Sequence, residues 1–254
     1  MCGQGRATID ILPDDVLLHI FYFVRPEHSR GSGLSSVYWW YVLVRVCRQW
    51  RSVVFASPNF LRLRLQVVCD LWECVERTAI WPPLPIILRK RNKYTDWTML
   101  KDRDFGAAIV HHDRVCEIDF SVSSLELQRL APALQKPFPA LIHLSLASGY
   151  PTPVLPDGFL GGSAPCLQSL EMKNISFPAL PSFILSATDL VSLTLLEILD
   201  SGHISPEVLV THLAMLSHLE SLHINFKSPP SRPDRASRRP EPPTRSVFLA
   251  LTRI

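Results

Sequence analysis

The sequence predicts an α/β chain (α+β overall): an N-terminal helical module followed by an irregular solenoid built on one parallel sheet. Three observations carry this expectation. Two short amphipathic stretches lie close together between Ile9 and Trp50. From Val115 onward a pattern of the form apolar-x-x-apolar-x-apolar returns five times. The 254 residues are 47% hydrophobic and 19% charged, a composition that buries a core and is unlike a disordered chain.

The first stretch runs Ile9-Asp10-Ile11-Leu12-Pro13-Asp14-Asp15-Val16-Leu17-Leu18-His19-Ile20-Phe21. Pro13 lacks a backbone donor and suits a helix start, and Asp14 and Asp15 suit the positive end of the helix dipole. Val16, Leu17, Ile20, Phe21 and Val24 then recur at one-turn spacing as an apolar stripe. The second stretch, Leu43-Val44-Arg45-Val46-Cys47-Arg48-Gln49-Trp50, places Leu43, Val46, Cys47 and Trp50 on one helical face, with Arg45, Arg48 and Gln49 opposite. Between them, Arg25 to Val37 is polar and contains Gly31-Ser32-Gly33. Two such helices in about forty residues make no independent core. They pack on the rest of the chain or offer an apolar face to a partner.

Leu12-Pro13-Asp14-Asp15-Val16-Leu17 followed by Val46-Cys47-Arg48-Gln49-Trp50 resembles an F-box. The resemblance implies docking on a Skp-type adaptor and, through it, a cullin-based ubiquitin ligase. The adaptor-facing positions it implies are Leu12, Pro13, Val16, Leu17, Ile20, Leu43, Val46, Cys47 and Trp50, with Trp50 as an anchor. The departure from the family is the stretched middle, Arg25 to Val37, which leaves the middle helix open.

Residues 1–8 read as a polar tail, 9–58 as the F-box, 59–113 as a connecting region and 114–254 as the repeat region. In the connecting region, Leu61, Leu63 and Leu65 alternate with Arg62, Arg64 and Gln66, the period of a strand with one buried face. Leu71 to Thr78 reads as a short helix, and Trp81-Pro82-Pro83-Leu84-Pro85-Ile86-Ile87-Leu88 as a proline-stepped approach to another strand. Arg89 to Asp104 reads as loop, and Phe105 to Val110 as the end of a helix.

The five copies are Val115-Ile118-Phe120, Leu141-Leu144-Leu146, Leu167-Leu170-Met172, Leu190-Leu193-Leu195 and Leu219-Leu222-Ile224. Their first positions lie 26, 26, 23 and 29 residues apart, the period of leucine-rich repeats, in which stacked strands share one core. Ser124 to Gln135 and the stretch from Ser205-Pro206-Glu207, with Leu209, His212, Leu213 and Leu216 inward, read as return helices. Pro151 to Gly162 reads as loop. The consensus places Asn or Cys three residues after the last apolar position. Here Ser123, Gly149, Ile175, Ile198 and Lys227 stand there, so a divergent solenoid is expected. The competing expectation is an α/β domain without repeat symmetry.

Residues beside the repeat leucines point to the other face of the sheet: Glu117, Asp119, Ser121, His143, Ser145, Ser169, Glu171, Lys173, Ser192, Thr194, Ser221, His223 and Asn225. Such a wall of small polar groups suits recognition of a target protein, or is simply solvated.

Ser228 to Arg245, with six prolines and five arginines, reads as an exposed flexible loop. An RNA or an acidic partner would suit its charge, but it lacks aromatic groups for stacking. Ser246 to Ile254 restarts the repeat and stops within a strand, so a C-terminally truncated version of a longer protein is expected. His111-His112-Asp113-Arg114-Val115-Cys116, Leu155 to Pro165 and Leu185-Ser186-Ala187-Thr188-Asp189-Leu190 resemble a large F-box class of mushroom-forming fungi, whose members run longer.

No catalytic constellation is read. Gly158 to Ser163 lacks the Gly-Lys-Ser/Thr ending of a phosphate loop. Neither His111-His112-Asp113 nor His203, His212, His218 and His223 forms a ligand set. The cysteines Cys2, Cys47, Cys69, Cys74, Cys116 and Cys166 show no zinc or disulfide framework. No metal, cofactor, nucleic acid or enzyme activity is expected. The Met1 to Arg6 start shows no signal peptide and no apolar run approaches the length of a membrane span, so a soluble cytoplasmic or nuclear protein is expected. The expected function is substrate reception for a ubiquitin ligase. The alternatives are a repeat scaffold with no ubiquitin role and a non-functional fragment.

Overall fold

The computed structural model describes residues 12–25, 39–68, 83–91, 109–198 and 211–226. The chain divides into two compact units, Met1–Gln66 with Glu76–Ile86, and Val67–Val75 with Ile87–Ile254.

In the first unit α1 spans Asp14–Val24, α2 Trp39–Leu43 and α3 Arg48–Ala56. Pro13 occupies the cap position of α1, and its carbonyl accepts the Leu17 amide at 3.0 Å. The Leu43 to Trp50 stretch is not one helix as its spacing predicts. Residues 44–46 form a turn, and Cys47 is extended with its Sγ accepting the Trp50 amide at 3.5 Å, capping α3. Trp40 of α2 and Val53 and Val54 of α3, with Val44 between the helices, nevertheless meet in one small core. That core holds Leu17, Phe21, Trp40, Val44, Val53 and Val54, all buried.

Seven strands form one sheet in chain order: β1 Leu65–Val68, β2 Ile86–Arg91, β3 Val115–Val122, β4 His143–Ser148, β5 Ser169–Lys173, β6 Ser192–Ile198 and β7 Ser221–Phe226. Each pairing from β3 to β7 is parallel. The first strand starts later than the Leu61-Leu63-Leu65 alternation predicts. Residues 58–62 are turn, Arg62 takes a positive φ of 52°, and Gln66, expected outward, is buried. The expected loop from Arg89 is corrected too, since β2 continues through Arg91.

The five apolar triplets align across the sheet. Ile118, Leu144, Leu170, Leu193 and Leu222 form one row, and Phe120, Leu146, Met172, Leu195 and Ile224 the next. The leading leucines repeat one turn: the amides of Leu141, Leu167, Leu190 and Leu219 each donate to the carbonyl three residues back, at 3.1–3.3 Å. The return segments bury the apolar rows. They include α4, Ser124–Leu130, capped by Ser123, and α5, Leu180–Ser186. Phe159, Phe177 and Phe183 stack edge to face within this layer at 5.7 and 5.5 Å.

The 151–162 loop ends in a tight turn. Gly161 has φ +71°, and a Cβ there would stand 3.0 Å from the Pro137 Cα. Gly161→Ala is therefore expected to cost about 1–3 kcal/mol through strain and backbone displacement, read as a lower urea midpoint.

Several expected segments lie outside the described residues: 1–11, the F-box middle 26–38, the Leu71–Thr78 helix, 92–108, the start of the Ser205 helix, the 228–245 loop and 246–254. The described helical residues 211–213 bury Leu213, and Leu216 is buried just past the turn that follows, with His212 half-buried.

Candidate interaction surfaces

The helical unit is built so that α1 has one inner and one outer apolar edge. Leu17 and Phe21 point inward, and the Phe21 ring meets Trp50 at 4.8 Å. The Gln49 side chain ties α3 to the start of α1, donating to Leu12 O at 3.3 Å and Asp14 Oδ1 at 3.0 Å. Arg51 Nε donates to Val44 O at 3.0 Å and closes the α2–α3 turn.

Of the nine positions assigned to the adaptor, the structure separates two groups. Val16 (40% exposed), Ile20 (39%) and Val46 (53%) are open to solvent, as is Pro13. Leu12, Leu43, Cys47 and Trp50 are half-buried. Leu17 is fully buried, so its expected place on the docking face is corrected: it is core. Trp50 likewise lies against Phe21 rather than standing free, and the Cys47 thiol is used as a helix cap. The adaptor-facing set left out three exposed apolar groups. Phe23 (81%) and Val24 (62%) extend the Val16–Ile20 stripe by one turn, and Val42 (68%) stands on α2. Phe23 falls seven residues after Val16, so the helical period alone was signal enough.

On the other flank of α1, Tyr22 meets Phe60 at 5.0 Å and carries the Arg25 guanidinium at 4.6 Å. His19 joins them, with Nδ1 2.8 Å from Asp15 O.

The second surface is the polar face of the sheet. The strand register places its residues in three rows. Glu117, His143, Ser169, Ser192 and Ser221 form the first; Asp119, Ser145, Glu171, Thr194 and His223 the second; Ser121, Ala147, Lys173, Leu196 and Asn225 the third. None of these groups is buried. Arg89 forms ion pairs with Glu117 at 2.9 Å and Asp119 at 3.2 Å, and Lys173 with Glu197 at 3.1 Å.

The expected absence of a consensus Asn needs a correction of another kind. Asn174, one residue before the consensus position, is buried with a φ of 52°. Its Nδ2 donates to Ser148 O at 3.1 Å and Gly149 O at 2.9 Å, and its Oδ1 accepts from Thr152 at 2.8 Å. One unit of the sheet therefore satisfies its turn with an asparagine.

His112 Nδ1 lies 2.7 Å from Pro137 O, and burial lowers the Arg114 pKa while Asp113 opposes it, so the His111–Arg114 run is a structural turn. Among the described residues no group of three or more His, Cys, Asp or Glu could hold a metal ion, and no helix is long and apolar enough to cross a membrane.

Residues 9–62 match the family of F-box-like domains. No curated protein matches the chain. An F-box-like domain points in general to a non-enzymatic receptor subunit that binds a Skp-type adaptor.

Proposed function

We propose that this chain is a substrate-receptor subunit of a cullin-type ubiquitin ligase. The observation that carries the reading is the F-box-like match over residues 9–62, on helices that leave an apolar stripe uncovered. Val16, Ile20, Phe23 and Val24 on α1, with Pro13, Val42 and Val46, form the docking surface for the Skp-type adaptor, which links the chain to a cullin. Leu12, Leu43 and Cys47 border it, while Leu17 in the core and the half-buried Trp50 against Phe21 hold α1 in place. The described part of the repeat region, 114–198 with 211–226, reads as a divergent leucine-rich-repeat solenoid of the kind found in the fungal F-box class, and its polar rows receive the target protein. The chain supplies proximity and no chemistry of its own.

Co-purification with a Skp-type adaptor tests the first half. The wild-type chain is expected to carry the adaptor through gel filtration, and an Ile20→Asp/Val46→Asp chain to elute alone. A folded wild type that never retains the adaptor would leave the scaffold reading in its place.

The target half has its own expected outcome. Glu171 and His223 are exposed on the sheet, so a Glu171→Ala/His223→Ala chain should keep its stability within about 0.5 kcal/mol. Adaptor binding should be unchanged, while ubiquitin transfer to a captured target falls. Equal transfer by both chains would remove the polar rows from the target site.

A further inference from the structure

We propose that the polar rows of the sheet take a basic segment of the target, with an arginine or lysine side chain set against Glu171. This rests on the reading of those rows as the target site and names the chemistry they select. Glu171 stands at the middle of the second row, between Ser145 of β4 and Thr194 of β6. It is exposed, and among the described residues it has no ion pair.

The other charges of the face are already matched. Arg89 pairs with Glu117 and Asp119 at one side. Lys173 pairs with Glu197, which lies at the bulge between Leu196 and Ile198 with a φ of 55°. Four carboxylates thus face two cations, and both cations are engaged. A phosphorylated or acidic segment meets no free cation there. Drawn to Lys173, it would stand between Glu197 and Glu171, which lies two residues earlier on the same face, about 7 Å along the strand. Carboxylates so placed repel a phosphate. A guanidinium or ammonium meets the opposite: an unmatched carboxylate flanked by hydroxyls that can accept its remaining hydrogen bonds. The row runs from β3 to β7 across strands about 4.8 Å apart, a span of about 19 Å that about six extended residues cover.

Fluorescence anisotropy on the full chain, without adaptor or ligase, tests this. The probes are three dye-labelled hexapeptides that alternate serine with arginine, glutamate or phosphoserine. The wild type is expected to bind the arginine peptide about tenfold or more tightly than either acidic peptide. Glu171→Gln is expected to weaken that binding by about threefold and Glu171→Lys by about tenfold, at an unchanged urea midpoint. Asp157→Asn, at an exposed carboxylate of the 151–162 loop, is expected to leave it unchanged. No affinity for the arginine peptide, equal affinity for all three peptides or preference for the phosphoserine peptide would overturn the proposal. So would equal losses in Asp157→Asn and Glu171→Gln. The two readings fail separately. Loss of ubiquitin transfer in Glu171→Ala/His223→Ala with equal binding of the peptides keeps the target site and removes the basic segment. Arginine-peptide binding through Glu171 in a chain that never retains the adaptor keeps the basic-segment site and removes the receptor reading.

Discussion

A Phe21→Ala chain is expected to lose about 3–5 kcal/mol of stability in its helical unit, the usual cost of emptying a phenylalanine site in a packed core. Phe21 has no solvent exposure, and its ring supports Trp50 at 4.8 Å. Urea unfolding followed by tryptophan fluorescence reads the loss. The same substitution is expected to weaken adaptor binding, but only by unseating α1. Trp50→Ala belongs to the same class, so its failure to bind would report folding rather than a lost contact. A Phe21→Ala chain with wild-type stability would contradict the placement of α1 on α3.

Asn174→Ala is expected to cost about 2–4 kcal/mol, measured by the urea midpoint of the sheet unit. The side chain makes three hydrogen bonds, each worth about 1 kcal/mol net and more where a buried carbonyl is left unpaired. Alanine also tolerates the left-handed backbone at φ 52° poorly, at about 1–2 kcal/mol. Glycine pays no such steric cost. Asn174→Gly should therefore be less destabilised than Asn174→Ala, and equal losses would show that the backbone conformation contributes nothing.

The parallel strands were legible because β3 to β6 each bury the same two alternate positions of an apolar triplet, such as Leu144 and Leu146 or Leu193 and Leu195, and β7 half-buries them. That repetition defines strand, face and register at once. Helix α5 was not legible. Leu180-Pro181-Ser182-Phe183-Ile184-Leu185-Ser186 has no side-chain cap, and its fold comes from burying Leu180, Phe183 and Ile184 in a layer whose other members are distant in sequence. Asn174 escaped notice because the turn after β5 is one residue shorter than the consensus spacing.

The helical unit shows a different limit. Periodicity identified Leu43, Val46, Cys47 and Trp50 as one face, and it cannot tell one helix from two that share a core. Nor does it separate the apolar residues a unit buries from those it leaves open. Leu17 and Ile20 stand on the same stripe, and only packing against α3 divides them into core and surface. The polar rows of the sheet follow from alternation along a strand, which is a geometric necessity. What binds there is a question of chemistry that alternation does not address.

The most direct test of the receptor account is a calorimetric titration of a Skp-type adaptor into three chains: wild type, Ile20→Asp/Val46→Asp and Glu171→Ala/His223→Ala. Stability measured beside it separates folding from docking. The account predicts tight binding by the wild type and the sheet variant, and a loss of about a hundredfold or more in the helix variant, as when central apolar contacts of an interface are charged. Equal affinity in all three folded chains would contradict the assignment of the adaptor to the exposed stripe of α1 and its neighbours.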